Sequence, residues 1–355
     1  MNTKLLMAAT AAALSMNIMA QNNKTATLEP LTLTAEWDKT FPKSDLVNHE
    51  KVTFTNRFGI TLAADLYIPK THNAKMAAIA VSGPFGAVKE QSSGLYAQHL
   101  AEEGFLTIAF DPSFTGESGG MPRYTASMDI NTEDFCAAVD YLSCRNDVDA
   151  ERIGIVGICG WGGIAINAAA LDPRIKATTS VTLYNITRVT QRGYFDSMDE
   201  NDRHEMKKQL AVQRTEEFRT GEIKPQGGLP EKPADDATDF LKQYVAYYKS
   251  PSRGYHQRSL NSNMGWNITS TLMRLNQNLW IAADEVRTPV LIVHGEKAHS
   301  RYFGEEAYAK LTSGAFAANK QLLIVPEATH CDLYDGGTAN YIPWAAITNF
   351  FNANL

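Results

Sequence analysis

The sequence has no excess of basic residues and no basic run. Its 355 residues include 33 Lys and Arg against 39 Asp and Glu, which gives a formal net charge of −6. A protein that binds nucleic acid usually carries a basic face or tail, because it must neutralise phosphates. The composition therefore argues against a nucleic-acid partner.

The patterns that hold metals and dinucleotides are also missing. The eight histidines form no HExxH motif or similarly spaced cluster, the spacing that places two ligands on one helix face. The glycines around residue 160 do not have the spacing of a phosphate-binding loop, and no acidic residue follows in the expected place. We expect neither a metal nor a cofactor.

Long apolar runs are absent after residue 20. Before that point, Lys4 precedes an apolar stretch at 5–14, and Ile18-Met19-Ala20 resembles a cleavage site. This order is typical of a secretory signal peptide, and the stretch is too short to span a bilayer as an anchor. We predict a cleaved signal peptide over residues 1–20 and an exported protein, located in the periplasm if the source is a Gram-negative bacterium.

Cysteine is scarce, with four in the chain. Cys136 and Cys144 lie on one predicted helix about 12 Å apart along its axis, which is too far for a disulfide. Cys159 and Cys331 are far apart in sequence, but the fold inferred below brings them near one another. A disulfide or redox pair between them is therefore an alternative to a free thiol.

The most informative stretch surrounds Cys159. An apolar, β-branched run at 152–158 predicts a buried strand, and an Ala-rich run at 164–171 predicts a helix. Glycine stands two residues before Cys159 and one, three and four residues after it. A strand, a tight glycine turn carrying a nucleophile and a helix form a nucleophile elbow, which favours a thiolate and an oxyanion at the helix N-terminus. We predict a nucleophilic Cys159, with a buried inert cysteine as the alternative.

Strands and helices alternate around this turn. An antiparallel pair is predicted at 51–56 and 60–68. The remaining predicted strands are 76–81, 105–110, 177–183, 289–294 and 321–325, and the helices are 93–103, 129–142, 305–311 and 342–351. This alternation favours an α/β fold with a mostly parallel central sheet flanked by helices. We assign residues 21–48 to an N-terminal surface segment, and 49–183 with 283–355 to the core.

Residues 184–282 break the alternation. They lack strand patterns, are rich in charge, and contain a breaker-rich linker at 224–233. We predict a helical lid insertion over an active site. Five aromatic side chains of this segment either line a pocket or belong to the core: Tyr194, Phe195, Tyr247, Tyr248 and Trp266.

An elbow nucleophile needs a base and an acid that orients the base. His330 follows the last predicted strand, which is where the order nucleophile, acid, histidine places the base, and His299 is a weaker rival. Ala298 occupies the usual position of the acid. Glu296 is the best substitute, and Asp332 is the second candidate.

The same chemistry needs two donors for an oxyanion. The N–H of Gly160, the residue after the nucleophile, supplies one. The loop after the strand at 76–81 supplies the other. Pro84 has no N–H, so we predict Phe85 as the donor, with Gly86 as the next choice.

These motifs resemble the α/β-hydrolase superfamily over nearly the whole chain after residue 20. The Gly-x-Cys-x-x-Gly-Gly turn is similar to the cysteine elbow of the dienelactone hydrolase branch. Four further segments resemble a bacterial group near the Xaa-Pro dipeptidyl-peptidase-like hydrolases: 86–91, 110–113, 116–120 and 328–335. The resemblance implies a Cys159–His330 hydrolase with an oxyanion hole and a helical lid. Trp161, where such elbows have a small residue, and Ala298 depart from the pattern.

The leading interpretation is an exported hydrolase that needs no cofactor. It would cleave an ester, lactone or thioester of a small acyl substrate through an acyl-enzyme. A thiolate suits activated acyl groups better than unstrained amides, so a peptidase of the Xaa-Pro dipeptidyl-peptidase-like type ranks second. A non-catalytic binding protein with the hydrolase fold is the alternative from another class.

Overall fold

The computed structural model describes residues 30–72 and 75–355, so the predicted signal peptide lies outside the described residues. Leu31–Leu355 form one compact unit. Its strands are β1 (Val47–Thr55), β2 (Thr61–Pro69), β3 (Met76–Ser82), β4 (Leu106–Phe110), β5 (Val148–Ile158), β6 (Ile175–Val181), β7 (Val290–Gly295) and β8 (Lys320–Val325). All eight predicted strands are present, with ends shifted by a few residues.

The strands form a single sheet in the order β1-β2-β4-β3-β5-β6-β7-β8. β2 is antiparallel to both β1 and β4, and every other neighbouring pair is parallel. The central strands are apolar and buried on both faces, as expected for parallel strands covered by helices. The predicted mostly parallel sheet is confirmed, and its carboxyl edge gathers the loops that carry the site.

Helices flank this sheet, as predicted. They are α1 (Ser92–Glu102), α2 (Met128–Ser143), α3 (Gly160–Leu171), α4 (Ile186–Arg192), α5 (Glu200–Thr220), α6 (Asp239–Tyr248), α7 (Thr271–Leu275), α8 (Arg301–Thr312), α9 (Asp332–Asp335) and α10 (Trp344–Asn354). None of those described is long and apolar enough to cross a lipid bilayer.

The segment between β6 and β7 is helical and contains α4 to α7. The β-structure described in this segment is an isolated antiparallel β-bridge between Pro225 and Asn267. α5 is polar on all sides and buries Leu210 alone, so charged side chains cover most of its surface. Whether this segment acts as a lid stays a prediction.

Part of the predicted N-terminal surface segment contacts the core. The Phe41 ring is buried, and the Trp37 indole packs against the same core. Arg258, from the segment between β6 and β7, binds the Asp38 carboxylate at 2.8 Å. These contacts tie residues 37–41 to the core and to the helical segment.

A buried ionic cluster joins the loops after β3 and β4. The Lys89 ammonium is fully buried and lies 2.7 Å from Glu90, 2.8 Å from Asp111 and 2.7 Å from Glu117. Arg258 reaches Glu90 at 2.9 Å. The three carboxylates are close enough together to hold a cation, and the Lys89 ammonium supplies that charge.

For Lys89 and Glu117, attraction between the charges outweighs the effect of burial on the pKa. Burial opposes the charged form of Lys89, but Asp111 and Glu90 raise its pKa well above the usual value. Burial alone would raise the pKa of Glu117, yet Lys89 and Lys51 bring it down to about 2. Lys89 and Glu117 therefore stay charged at neutral pH, whereas burial raises the pKa of the Asp111 carboxyl.

Replacing Lys89 tests the role of this cluster. Lys89→Met leaves buried carboxylates without their shared partner, so we expect the free energy of unfolding to fall by about 3–5 kcal/mol. Chemical denaturation measures the change. The matched control is Lys208→Met, because Lys208 pairs with Glu205 on the exposed surface of α5. This variant should leave the midpoint of the denaturation curve almost unchanged. Equal midpoints for the two variants would contradict a stabilising cluster.

Candidate active site

Cys159 lies in the turn between β5 and α3, with φ 59° and ψ −126°. A positive φ is uncommon for a residue with a side chain and needs surrounding structure to hold it. Here the Cys159 N–H donates to Val181 O at 2.9 Å, and its carbonyl accepts from the N–H groups of Gly162 and Tyr184 at 2.9 and 3.0 Å. This strained turn directs the sulfur toward the carboxyl edge of the sheet.

The glycines of this turn are required by close contacts. A Cβ at Gly160 would lie 2.7 Å from Ile186 Cγ1 and 2.8 Å from Phe85 Cβ. A Cβ at Gly157 would overlap the Trp161 carbonyl. Gly162 and Gly163 are equally confined, by Leu183 Cβ and the Tyr184 carbonyl, so packing explains all four glycines that identify the elbow.

Trp161 points away from the site. Its indole is buried and packs edge-on against Phe110 and Phe135, with ring centroids 5.7 and 5.3 Å away. The large side chain is accommodated because the core opposite α3 is built of aromatic rings. It therefore leaves the elbow intact.

Two backbone amides face the sulfur of Cys159. The N–H groups of Phe85 and Gly160 both lie within hydrogen-bond reach of Sγ. Burial raises the pKa of the Cys159 thiol, while hydrogen bonds from the Tyr334 hydroxyl and these two amides act in the opposite direction. The two predicted donors thus converge on one point, as an oxyanion hole requires.

The helical segment braces the loop that carries Phe85. Asn261 donates from Nδ2 to Phe85 O at 2.8 Å and from its backbone N–H to Gly86 O at 3.1 Å. The Ser259 hydroxyl donates to the same Gly86 carbonyl at 3.0 Å. These three bonds fix the Phe85 and Gly86 carbonyls and so hold the loop whose Phe85 N–H faces the sulfur.

His330 lies just before α9 and is fully buried. Its Nε2 is 2.8 Å from the Tyr334 hydroxyl, which is also within hydrogen-bond reach of Cys159 Sγ. Burial lowers the pKa of His330 well below its usual value, and the neighbouring His299 and His294 lower it further. The ring is therefore neutral at neutral pH, with Tyr334 between it and the sulfur.

The other ring nitrogen of His330 meets two hydroxyl groups. Nδ1 lies 2.8 Å from Thr182 Oγ1 and 2.6 Å from Ser300 Oγ. A hydroxyl oxygen can accept from a protonated Nδ1, so these groups can hold the tautomer whose Nε2 is free to take a proton. They stand where a triad has its carboxylate.

The predicted acids lie elsewhere. Glu296 is exposed, and its carboxylate accepts from the Glu327 N–H at 2.9 Å. Asp332 accepts from the N–H and hydroxyl of Thr329 at 2.9 and 2.6 Å. The structure does not bring Glu296 to His330, because the chain turns outward after β7. Hydroxyl groups, and neither of these carboxylates, are the hydrogen-bond partners described for His330 Nδ1.

His299, the rival base, lies in the same cluster without reaching the sulfur. Its Nε2 contacts the Tyr184 hydroxyl, and its ring stacks on Phe240 with centroids 4.4 Å apart. Burial lowers its pKa to about 4. This neutral ring packs 5.2 Å from the His330 ring and contributes to its apolar surroundings.

A cavity of about 220 Å³ opens above Cys159. Its lining carries no formal charge apart from what Cys159 itself can develop, and consists of Phe85, Cys159, Tyr184, Ile186, Val189, Tyr194, Leu229, Tyr244, Tyr248, Asn261 and Tyr334. Of the aromatic residues considered from the sequence, Tyr194 and Tyr248 line this cavity. Phe195 is exposed, Tyr247 is buried, and Trp266 stacks on Phe85.

All four cysteines are free thiols. Cys331 is buried beside His330, and burial raises its pKa well above the usual value. The structure therefore contains no Cys159–Cys331 disulfide, the pairing considered from the sequence.

Three residues of the site escape sequence reasoning: Thr182, Ser300 and Tyr334. Thr182 and Ser300 follow different strands and meet His330 only through the fold. Tyr334 carries a usable signal, since it is four residues after His330 and a short helix places such residues on one face.

Comparison with known proteins agrees with the α/β-hydrolase fold. The sequence profile described as X-Pro dipeptidyl-peptidase (S15 family) matches residues 59–332. The protein PA2218 of Pseudomonas aeruginosa, described as uncharacterized, is 52% identical over 336 residues, covering 94% of this chain and 88% of that protein. Its crystal structure superposes with a TM-score of 0.87 at 51% identity, covering 92% of this chain and 99% of that one.

More distant relatives include YcjY of Escherichia coli, also described as uncharacterized, at 36% identity over 86% of this chain and 99% of that protein. The thiohydrolase apmlB of Arthrinium phaeospermum is 27% identical over 74% of this chain and 85% of that protein. The structure of the α/β hydrolase GrgF from a Penicillium species has a TM-score of 0.68 at 20% identity, covering 86% and 99% of the two chains, which shows a shared fold.

Removing the hydroxyls around His330 tests their assignment. In Thr182→Val/Ser300→Ala, a buried Nδ1 loses both partners, so we expect a loss of about 1–3 kcal/mol in the free energy of unfolding and a shifted ¹⁵N signal of the ring. Denaturation and NMR measure these effects. Glu296→Gln is the control, and it should leave the His330 signal in place. A shift with Glu296→Gln would return the orienting role to that carboxylate.

Proposed function

This chain belongs to the X-Pro dipeptidyl-peptidase (S15) family of α/β hydrolases, and we propose that it cleaves an ester, lactone or thioester through an acyl-enzyme on Cys159. The observation that carries the proposal is the convergence of the Phe85 and Gly160 amides on Cys159 Sγ. Such a pair of donors stabilises the negative charge that develops on a carbonyl oxygen when a nucleophile adds to its carbon.

In the proposed reaction the sulfur attacks the carbonyl carbon while its proton moves toward His330. Burial raises the pKa of Cys159 and lowers that of His330, so the resting pair is a neutral thiol and a neutral imidazole. Proton transfer then accompanies attack, as in general base catalysis. Collapse of the tetrahedral intermediate expels the leaving group, which takes the proton from the His330 imidazolium. The neutral His330 then accepts a proton from water as the water attacks the acyl-enzyme, and it returns that proton to the Cys159 sulfur when the acid product leaves.

The cavity favours a neutral acyl group. Aromatic and aliphatic side chains form its walls, and no carboxylate, ammonium or guanidinium group lies among the residues that line it. A charged substrate group would lose its hydration without gaining a partner, which is costly. A cavity of about 220 Å³ accepts a small acyl chain or a single ring.

A thioester or activated ester fits better than a peptide. Formation of the Cys159 acyl-enzyme exchanges one thioester for another when the substrate is a thioester, whereas an amide is much more stable than the acyl-enzyme that it would form. The family description supports a peptidase as the second candidate. The free ammonium of a dipeptidyl substrate, however, would find no counter-ion among the residues that line the cavity.

Hydrolysis of a short-chain acyl thioester and of p-nitrophenyl acetate tests the nucleophile. We expect Cys159→Ala to lower kcat/KM by at least about 1,000-fold, because the covalent route is lost. The matched control is Cys136→Ala, which removes another buried thiol, on α2, and should retain the activity. Full activity of Cys159→Ala on both substrates would refute the proposal, and cleavage confined to Xaa-Pro peptides would favour the peptidase.

The pH dependence of alkylation tests whether His330 activates the thiol. Between the two pKa values the thiol and the imidazole are both neutral, so the fraction of the pair that can react by general base catalysis is constant. These values lie above the usual 9.0 for Cys159 and well below 6.5 for His330. We expect iodoacetamide to alkylate Cys159 at a constant rate from about pH 6.5 to 9, because His330 titrates below this pH range and Cys159 titrates above it.

In His330→Ala the plateau should disappear, and the rate should rise about tenfold per pH unit, as for a lone thiol below its pKa. All proteins carry Cys144→Ala, which removes the exposed thiol, and peptide mass spectrometry locates the label. A tenfold rise per unit in both proteins would show that His330 does not activate Cys159.

A further inference from the structure

We propose that Tyr334 is a catalytic residue that relays the proton from Cys159 to His330. The inference rests on the proposed function, since it concerns the activation of the same thiol. Its geometric basis is the position of Tyr334, whose hydroxyl lies 2.8 Å from His330 Nε2 and which lines the same cavity as Cys159. A hydrogen bond from this hydroxyl also acts to lower the pKa of the Cys159 thiol. In the part of the chain that the structure describes, this hydroxyl is the hydrogen-bond partner of His330 Nε2.

The relay balances in protons and electrons. As Sγ attacks the carbonyl carbon, the S–H bond breaks and its proton bonds to Tyr334 Oη. The Oη–H bond breaks in the same step, and that proton bonds to His330 Nε2. The sulfur electron pair forms the new S–C bond, the phenol is regenerated, and the imidazole becomes an imidazolium.

The tautomer of His330 suits this step. The relay requires a free electron pair on Nε2 and therefore a proton on Nδ1. Thr182 and Ser300 place hydroxyl oxygens 2.8 and 2.6 Å from Nδ1, where either can accept that proton. The imidazolium then has a hydrogen-bond acceptor at each nitrogen, with Tyr334 Oη at Nε2.

Tyr334 cannot easily move aside to let the histidine reach the sulfur directly. Its side chain is fully buried, and its ring packs edge-on against Tyr247 and His330 with centroids 5.0 and 5.2 Å away. Its backbone carbonyl accepts from the Ser92 hydroxyl at 2.9 Å. The hydroxyl is therefore a fixed part of the path.

The phenol stays protonated in this position. Burial raises the pKa of Tyr334 well above its usual value, and the charge of a Cys159 thiolate raises it further. A neutral hydroxyl donates one hydrogen bond and accepts another, which a relay needs at the same moment. A phenolate could accept the thiol proton but would have none to pass on.

Other titratable groups around the pair keep their charge state in the pH window of the test. Burial raises the pKa values of four tyrosines that face Cys159, namely Tyr184, Tyr194, Tyr244 and Tyr248. Burial also raises the pKa of Cys331 well above its usual value. Burial lowers the pKa values of His294 and His299 to about 4. A plateau between pH 6.5 and 9 therefore reports the Cys159–His330 pair.

The test is the alkylation profile of Tyr334→Phe in the full chain, with Cys144→Ala in every protein. We expect Tyr334→Phe to lose the plateau and to react about 10- to 100-fold more slowly than the parent at pH 7. His330→Ala should show a similar rate. The double variant should be no slower than either single one, because both changes break one path.

Tyr247→Phe is the matched control. Tyr247 is buried and packs on the Tyr334 ring but lies outside the cavity, so its variant should keep the plateau. A plateau that survives in Tyr334→Phe but not in His330→Ala would overturn the relay and leave the Cys–His function standing. Loss of the plateau in Tyr247→Phe as well would also overturn the relay, since packing would then be the cause.

A proton inventory of acylation gives a second readout that a structural role would not change. When p-nitrophenyl acetate is the substrate, two protons in flight should make the rate a curved function of the deuterium fraction of the solvent. The curve should become linear in Tyr334→Phe. A linear plot for the parent enzyme would overturn the relay.

Discussion

Cys159 holds its positive φ because three backbone hydrogen bonds and the missing Cβ atoms of neighbouring glycines leave it no other conformation. The sulfur consequently lies at the start of α3, beside the Gly160 amide. The Phe85 amide must then reach the same point from another strand, and His330 must approach from a third. The loops at the carboxyl edge are arranged around this one turn.

Desolvation sets the chemistry that this arrangement can perform. The thiol and the imidazole are both buried, so their neutral forms predominate, and a carboxylate beside His330 would have to share that low dielectric. Hydroxyl groups from Thr182, Ser300 and Tyr334 satisfy both ring nitrogens without adding charge. The uncharged lining of the cavity and the uncharged partners of His330 therefore suit the proposed reaction, in which charge develops only as bonds are made.

The sequence predicts local features well and contacts between distant segments poorly. The strands follow from apolar β-branched runs, and the elbow follows from glycines spaced around Cys159, since both depend on neighbours in sequence. The position of Glu296 after β7 is also local information, but the direction in which its side chain points depends on how residues 296–300 leave the sheet. Thr182 and Ser300 carry no pattern that distinguishes them from other hydroxyl residues. Their role becomes visible only when the strands are paired.

The buried charges lie in the loops next to the site, where they position its parts without entering the cavity. Lys89 joins the loop that carries Phe85 to the loop after β4, and Arg258 connects the same cluster to the segment that carries Asn261. A buried ion pair adds little net stability over apolar packing, but its partners tolerate few alternative positions. An oxyanion hole loses much of its effect when a donor is displaced by a fraction of an ångström. Placing the ionic cluster beneath the Phe85 loop therefore gives the amide a fixed position while the cavity above it stays uncharged.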